Sequence, residues 1–207
     1  MQMKCPTINF EKQALAKGYK SIIGIDEAGR GSWAGPVVAA AVYFYPKIIR
    51  PTGITDSKLL TAAQRDQYYV WLKNNARFGV GIVSSRVVDR IGIVPATKRA
   101  MAQAVKKLKL KPDYLLIDAV KLPELAIDQL PLIKGDQKSW SIAAASIIAK
   151  VTRDRLMVKF HQQYPQYHFD RHKGYGTKLH MQSLSQYGVC PIHRLSYRPV
   201  AMYSQSH

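Results

Sequence analysis

Acidic side chains are scarce in this chain, 13 aspartates and glutamates in 207 residues, so their placement narrows the chemistry open to it. Asp26 and Glu27 end the apolar run Ile22-Ile23-Gly24-Ile25. Two adjacent carboxylates at the end of a core strand are costly. Partial desolvation and mutual repulsion raise their pKa unless a cation compensates, so the pair asks for a metal ion or a shared proton. The ordinary alternative is a strand that has just reached solvent. Asp118 closes Tyr114-Leu115-Leu116-Ile117 in the same manner. If the two strands are parallel neighbours, both acids lie on the C-terminal edge of the sheet, where open α/β sheets place their ligands. Asp136 follows Lys134-Gly135 just ahead of a long helical stretch, where a helix N-terminus favours negative charge; alone it would read as a cap. Oxygen-only ligands select hard cations such as Mg2+ or Mn2+ over zinc. His161, His168, His172 and His180 straddle an expected loop and lack a matching cysteine or strict helical spacing, which disfavours a zinc site. Asp56, Asp89, Asp128, Asp154 and Asp170 have polar neighbours and read as caps, turns or ion-pair partners.

These acids need a scaffold that brings distant segments together. Ser21 to Asp26, Val37 to Tyr45 and Phe78 to Ser85 are β-rich apolar runs, the first two separated by the glycine-rich stretch Ala28 to Pro36, and they predict an antiparallel meander. Pro95 to Leu108 has helical spacing, with Pro95 suited to a first turn. Tyr114 to Asp118 and Leu130 to Ile133 read as short strands, Ser139 to about Gln163 as a long alanine-rich helix, and Lys178 to Tyr187 as the last helix. Strands first, then strands alternating with helices, predict an α/β fold: a mixed sheet covered by helices. A hydrophobic share of 47% suits one globular domain. The excess of 31 basic over 13 acidic residues, a net charge of +18 spread along the chain, points to a polyanionic partner, nucleic acid first. The longest apolar run, Val37 to Tyr45, is far too short to span a bilayer, so no membrane partner is expected. Residues 1 to 20 lack the apolar stretch of a signal peptide, and Cys5 and Cys190 make no disulfide framework, so a cytoplasmic setting is expected.

The run Gly24-Ile25-Asp26-Glu27-Ala28-Gly29-Arg30-Gly31, with Ala34-Gly35-Pro36-Val37-Val38-Ala39-Ala40-Ala41-Val42, closely resembles ribonuclease HII, the type 2 ribonuclease H. Asp56-Ser57-Lys58, Leu116-Ile117-Asp118, Lys134-Gly135-Asp136, the stretch from Ala143 to Asp154, and His172-Lys173-Gly174-Tyr175 follow in the family's order. The resemblance implies a ribonuclease H-like fold, a five-stranded mixed sheet flanked by helices with a C-terminal helical segment. It further implies one catalytic domain over 1–207, whose part from about 165 to 207 helps to bind substrate. Asp26, Glu27, Asp118 and Asp136 match the family's metal-binding, catalytic carboxylates. The implied activity is cleavage of the RNA strand of RNA-DNA hybrids and nicking of duplex DNA on the 5′ side of embedded ribonucleotides, leaving a 5′-phosphate and a 3′-hydroxyl, with Mg2+ or Mn2+ as cofactor and a role in replication and repair. A monomer is expected, and the sequence names no recruiting protein.

Telling RNA from DNA requires a probe of the 2′-hydroxyl, and close-approaching backbone at Gly29, Arg30 and Gly31 offers one. Tyr175 matches the family tyrosine that stacks on the sugar beside the ribonucleotide. Lys58, Ser146, Lys150 and Lys173 are candidate phosphate contacts, able to position a backbone without reading sequence. The chain departs from the family pattern at Ser32-Trp33, where Pro-Leu is common, at Lys58-Leu59, where Lys-Lys is, and at Ala119-Val120, in place of a common Gly-Asn. Trp33 reads as a packing residue or as an added stacking surface. The competing functional readings are a non-catalytic basic nucleic-acid-binding protein and another metal-dependent nuclease on a similar sheet.

Overall fold

A computed structural model of the protein describes residues 5–45 and 48–204. Helix α1 (Asn9–Ala16) precedes β1 (Ile22–Ala28) and β2 (Val37–Phe44). Helix α2 (Ala62–Asn75), β3 (Ala76–Val83), α3 (Ser85–Ile91) and α4 (Ile93–Lys107) come next, then β4 (Tyr114–Asp118) and β5 (Asp128–Leu132). A 3-10 turn at Gly135–Gln137 leads into the long α5 (Trp140–Gln163), and the chain closes with a 3-10 turn at Pro165–Tyr167 and short helices α6 (Phe169–His172), α7 (Lys178–Tyr187) and α8 (Arg198–Ala201). The sheet order is β3-β2-β1-β4-β5. β1 runs antiparallel to β2, and β2 to β3, while β4 runs parallel to β1 and β5 to β4. This is the expected five-stranded mixed sheet flanked by helices. No helix among the described residues is long and apolar enough to cross a membrane.

Alternating side chains divide the core between the two faces of the sheet. Ile23, Ile25, Val37, Ala39, Ala41, Leu115 and Ile117 pack with Ala96, Ala100, Met101 and Ala104 of α4. Ala40 and Val42 pack with Leu72 of α2 and with the alanines and isoleucines of α5. Glycines bring both helices close to the sheet. A Cβ at Gly24 would strike the Ser141 carbonyl of α5, and one at Gly81 the Ala100 carbonyl of α4.

Several elements differ from the sequence expectation. Helix α2 was not foreseen because it carries little apolar periodicity and fully buries only Leu72. Its legible signal was the capping box, in which Gln64 N donates to Thr61 Oγ1 and Thr61 N to Gln64 Oε1. β3 starts earlier and ends at Val83, because Ser84 is already the N-cap residue of α3. β5 is shifted to Asp128–Leu132, leaving Ile133 exposed beyond the ladder. Asp136 does not cap α5: Ser139 does, accepting from Ile142 N, and Asp136 lies in the preceding 3-10 turn.

Candidate active site

The parallel register sets Ile25 opposite Ile117, which places Asp26 beside Asp118 at the C-terminal edge of neighbouring strands. Asp26 shares the parity of Gly24, and Asp118 that of Leu116, which packs on Ile142 of α5. Both acids therefore face the α5 side. Oxygens of Asp26, Glu27 and Asp118 lie within 4.8 Å of one another. One oxygen of each is held by a donor from the protein itself. Asp26 Oδ1 accepts from Glu27 N at 2.7 Å, Glu27 Oε1 from Arg30 Nη1 at 3.2 Å, and Asp118 Oδ1 from Gly135 N at 2.7 Å. The last bond ties the end of β4 to the turn that carries Asp136.

Asp136 is 5% exposed and stands outside that tight group of three, yet near enough to act on it. Asp26, 4% exposed, has its carboxyl pushed well above the usual range by burial, then by Glu27, Asp118 and Asp136. Burial also raises Glu27, against the opposing charge of Arg30. For Asp136, burial followed by repulsion from Asp56 and Asp118 lifts the pKa to about 6, with Lys58 opposing. Asp56 is thus more than the turn residue expected. Its Oδ1 accepts from Lys58 N at 2.9 Å as an Asx turn does, but it is 5% exposed, takes Gln137 Nε2 at 3.4 Å on Oδ2, and its charge helps to raise Asp136. Its sequence signal was its place in Asp56-Ser57-Lys58. Burial lowers the Lys58 pKa, but Asp56, Asp136, Asp26 and Asp118 outweigh it and the net shift is upward.

This donor set fits a divalent cation. Glu27 Oε2 is buried with no hydrogen-bond partner, and crowded, desolvated carboxylates of raised pKa are what a hard cation relieves.

Glu27 and Asp118, but not Asp26 or Asp136, line a cleft of about 710 Å3 together with Gly29, Arg30, Gly31, Lys58, Ser146, Lys150 and Tyr175. Ser57 and Arg65, which the sequence did not single out, line it too. Ser57 Oγ and Ser146 Oγ lie 2.9 Å apart, joining the loop that carries Lys58 to α5, and Arg65 Nη1 donates to the carbonyls of Ser57 and Leu60. Lys150 pairs with Asp154 at 2.8 Å and sits over the Tyr175 ring. Lys173 is not part of this lining. It borders the adjoining groove between α2 and α5, which Arg65 also lines.

The glycine-rich loop owes its shape to two buried arginines that sequence reasoning gave no role. Arg153 donates to Pro36 O, Ala34 O, Ser32 Oγ and Lys173 O, and Arg194 to Gly35 O and Arg30 O. Burial lowers the Arg153 pKa to about 10. Ser32 passes the tie on, donating to Gly29 O at 2.8 Å, which gives this departure from the family pattern a structural use. Gly29 has φ 94°, and a Cβ there would strike the Arg153 side chain. Trp33 packs: Gly176 lies against its ring, His180 is 5.4 Å away, and its carbonyl accepts from Arg194 N. Ala119 adopts φ 56°, a left-handed conformation that favours glycine.

The ribonuclease HII family model matches residues 23–200. Ribonuclease HII of Chloroflexus aurantiacus is 50% identical over 200 residues, covering 94% of each chain, and that of Acetivibrio thermocellus 52% identical over 189 residues, covering 91% of this chain and 73% of its own. The crystal structure of the ribonuclease H2 from Pyrococcus horikoshii superposes with a TM-score of 0.76 at 26% identity, over 90% of this chain and 98% of that one. The order of the strands, the acids on their shared edge and the extent of these matches agree, and the chain belongs to the ribonuclease HII family, metal-dependent ribonucleases H.

Proposed function

We propose that the protein hydrolyses the RNA strand of RNA-DNA hybrids and nicks duplex DNA on the 5′ side of an embedded ribonucleotide, leaving a 5′-phosphate and a 3′-hydroxyl. The observation that carries this reading is a group of three carboxylates within 4.8 Å, two of which, Glu27 and Asp118, line a cleft shared with basic side chains, serines, Tyr175 and glycine-rich backbone. Asp26, Glu27, Asp118 and Asp136 hold Mg2+ or Mn2+ and are the catalytic residues. Bound there, the metal supplies an activated water and charge stabilisation at the leaving oxygen. The protein's part is to hold the carboxylates: Glu27 N, Arg30 and Gly135 N each fix one oxygen and aim the other.

Lys58, Ser146, Lys150 and Lys173 position the phosphate backbone. The backbone of Gly29, Arg30 and Gly31 probes the 2′-hydroxyl. A Cβ at Gly31 would meet nothing within 4 Å, so internal packing does not demand glycine there, whereas close approach of a ribose does. Tyr175 stacks on the neighbouring sugar. Residues 1–207 form one catalytic domain, to which the stretch after about residue 165 contributes Lys173 and Tyr175. It acts as a monomer in the cytoplasm, removing ribonucleotides left by replication.

The test is cleavage of a labelled DNA duplex carrying one ribonucleotide, beside a matched all-DNA duplex and a long hybrid, with Mg2+ or Mn2+. Nicking 5′ of the ribonucleotide with the stated ends is expected. Binding without a nick would leave a nucleic-acid-binding protein, and equal cleavage of the all-DNA control would refute recognition of the 2′-hydroxyl.

A further inference from the structure

Three imidazoles are buried together against the segment that carries Tyr175. His172 and His180 stack with centroids 4.4 Å apart and 12° between planes, and His193 lies 5.2 Å from His180. Their hydrogen bonds determine each tautomer. A carbonyl only accepts, so His180 Nδ1, 3.0 Å from Tyr175 O, carries a proton. In the neutral ring His180 Nε2 is then an acceptor, and His193 Nε2, 3.0 Å away, donates to it. That leaves His193 Nδ1 to accept from Cys190 N at 2.9 Å. On the same logic His172 accepts from Gly174 N on Nδ1 and donates from Nε2 to Tyr167 O at 2.8 Å. With all three rings neutral, every ring nitrogen and the Cys190 and Gly174 N–H groups are satisfied. A proton on His193 Nδ1, which also lies 3.3 Å from Cys190 O, would leave Cys190 N without its acceptor. Burial favours the neutral state, lowering the pKa of His180 to about 3 and that of His193 to about 4.

The chain of donors ends on the Tyr175 backbone, which is held at its other side as well. Tyr175 N donates to His172 O at 2.9 Å. Its two neighbours press on the glycine-rich loop: a Cβ at Gly174 would strike Ala34 O and one at Gly176 the Trp33 ring, while Trp33 N donates to Gly174 O. Trp33 in turn packs beside His180. The Tyr175 ring is left facing Lys150 and Arg153, whose cationic groups lie 5.4 and 5.2 Å from its centroid.

We propose that His180, held in one tautomer by His193, is a positioning residue: its Nδ1–H fixes the Tyr175 carbonyl and with it the set of the ring over the cleft, so that the pair determines how well the enzyme acts at a single ribonucleotide. The inference rests on the stacking role proposed above for Tyr175, and it adds residues that touch no substrate.

The variants His180→Leu and His180→Asn have nearly the same shape and lose the same ring, but only asparagine keeps an N–H donor in the place of Nδ1. For each, kcat/KM is measured on a duplex with one ribonucleotide and on a long RNA-DNA hybrid, with melting temperature as a control. Leaving the half-buried Tyr175 carbonyl without this donor in His180→Leu should lower single-ribonucleotide cleavage by about tenfold, against less than about threefold on the hybrid, and His180→Asn should recover most of the loss. Equal losses in the two variants, equal losses on the two substrates, or no loss would overturn the positioning role. Should His180→Leu fail to fold, His193→Met and His193→Gln give the same comparison, since only glutamine keeps a donor toward His180. A wild-type enzyme that cuts the hybrid but not the single-ribonucleotide duplex would refute the parent reading and this one with it. A wild-type enzyme that cuts both, beside a His180→Leu variant of unchanged substrate ratio, would refute this one alone.

Discussion

Replacing Asp136 with asparagine should make the metal-free protein more stable at neutral pH while removing its ability to cut. Burial, Asp56 and Asp118 raise the Asp136 carboxyl from 3.8 to about 6. Between those two values the folded chain keeps a proton that the unfolded chain has lost, so stability falls as pH rises through the window, and the full penalty is present above about pH 7. A shift from 3.8 to about 6 sets an upper bound on the order of 3 kcal/mol, which solvent screening reduces. Asparagine does not titrate, fills nearly the same volume and can donate to Asp56. For a chain of this size the full gain would raise the melting temperature by about 6 to 12 °C, and the screened gain by less. The assay is thermal or urea unfolding in a chelator from pH 4 to pH 8, on the wild type and on Asp136→Asn. The gap should be widest at the alkaline end, close toward pH 4, and narrow on addition of Mg2+, which relieves the same repulsion in the wild type alone. A variant no more stable than the wild type at pH 7.5 in chelator, or a gap that does not shrink as pH falls, would refute the electrostatic account of this site.

Lys173→Ala should weaken substrate binding about uniformly across sequences and reduce the salt slope by about one, read from binding isotherms at several salt concentrations. Ala119→Gly should relieve a left-handed alanine, φ 56°, worth roughly 1 to 2 kcal/mol, partly offset by the greater freedom of an unfolded glycine; urea midpoints should rise or hold level, and activity should persist. Gly24→Ala places a methyl against the Ser141 backbone. It should cost about 1 to 3 kcal/mol by overpacking and, by pushing α5 off β1, depress cleavage beyond what the stability loss explains, as measured on folded protein at low temperature.

The sheet was legible in the sequence because its strands are nearly pure apolar runs and their terminal acids break that pattern abruptly. Ile22 to Asp26 and Tyr114 to Asp118 gave both strands and the edge on which they meet. Helix α2 was not legible, since it rests on the molecule by few apolar side chains and its capping box sits in an otherwise polar stretch. Asp56 reads as a turn residue because an acid next to serine and lysine looks like any surface turn. Only the fold, bringing residues 56 and 136 together, shows that it bears on the site. Arg153 and Arg194 were invisible for a related reason: in a chain with 31 basic residues, nothing local distinguishes a buried guanidinium from a solvated one. Of the four histidines that suggest a zinc reading, His172 and His180 have both ring nitrogens engaged by backbone groups or by His193, and His161 Nδ1 lies 3.2 Å from Asp170 Oδ1.

The two guanidiniums beneath the glycine-rich loop have oxygen partners but no counter-ion among the described residues: Arg153 and Arg194 bond carbonyls and hydroxyls, and neither is paired with a carboxylate. Dissolved ions weaken charges that they can approach and act far less on those sealed inside. The attraction felt at this loop therefore has a floor that rising ionic strength does not remove, unlike the pull of lysines on flexible stems. A strand held loosely elsewhere on the basic surface would slip away in salt while its grip at the loop persisted.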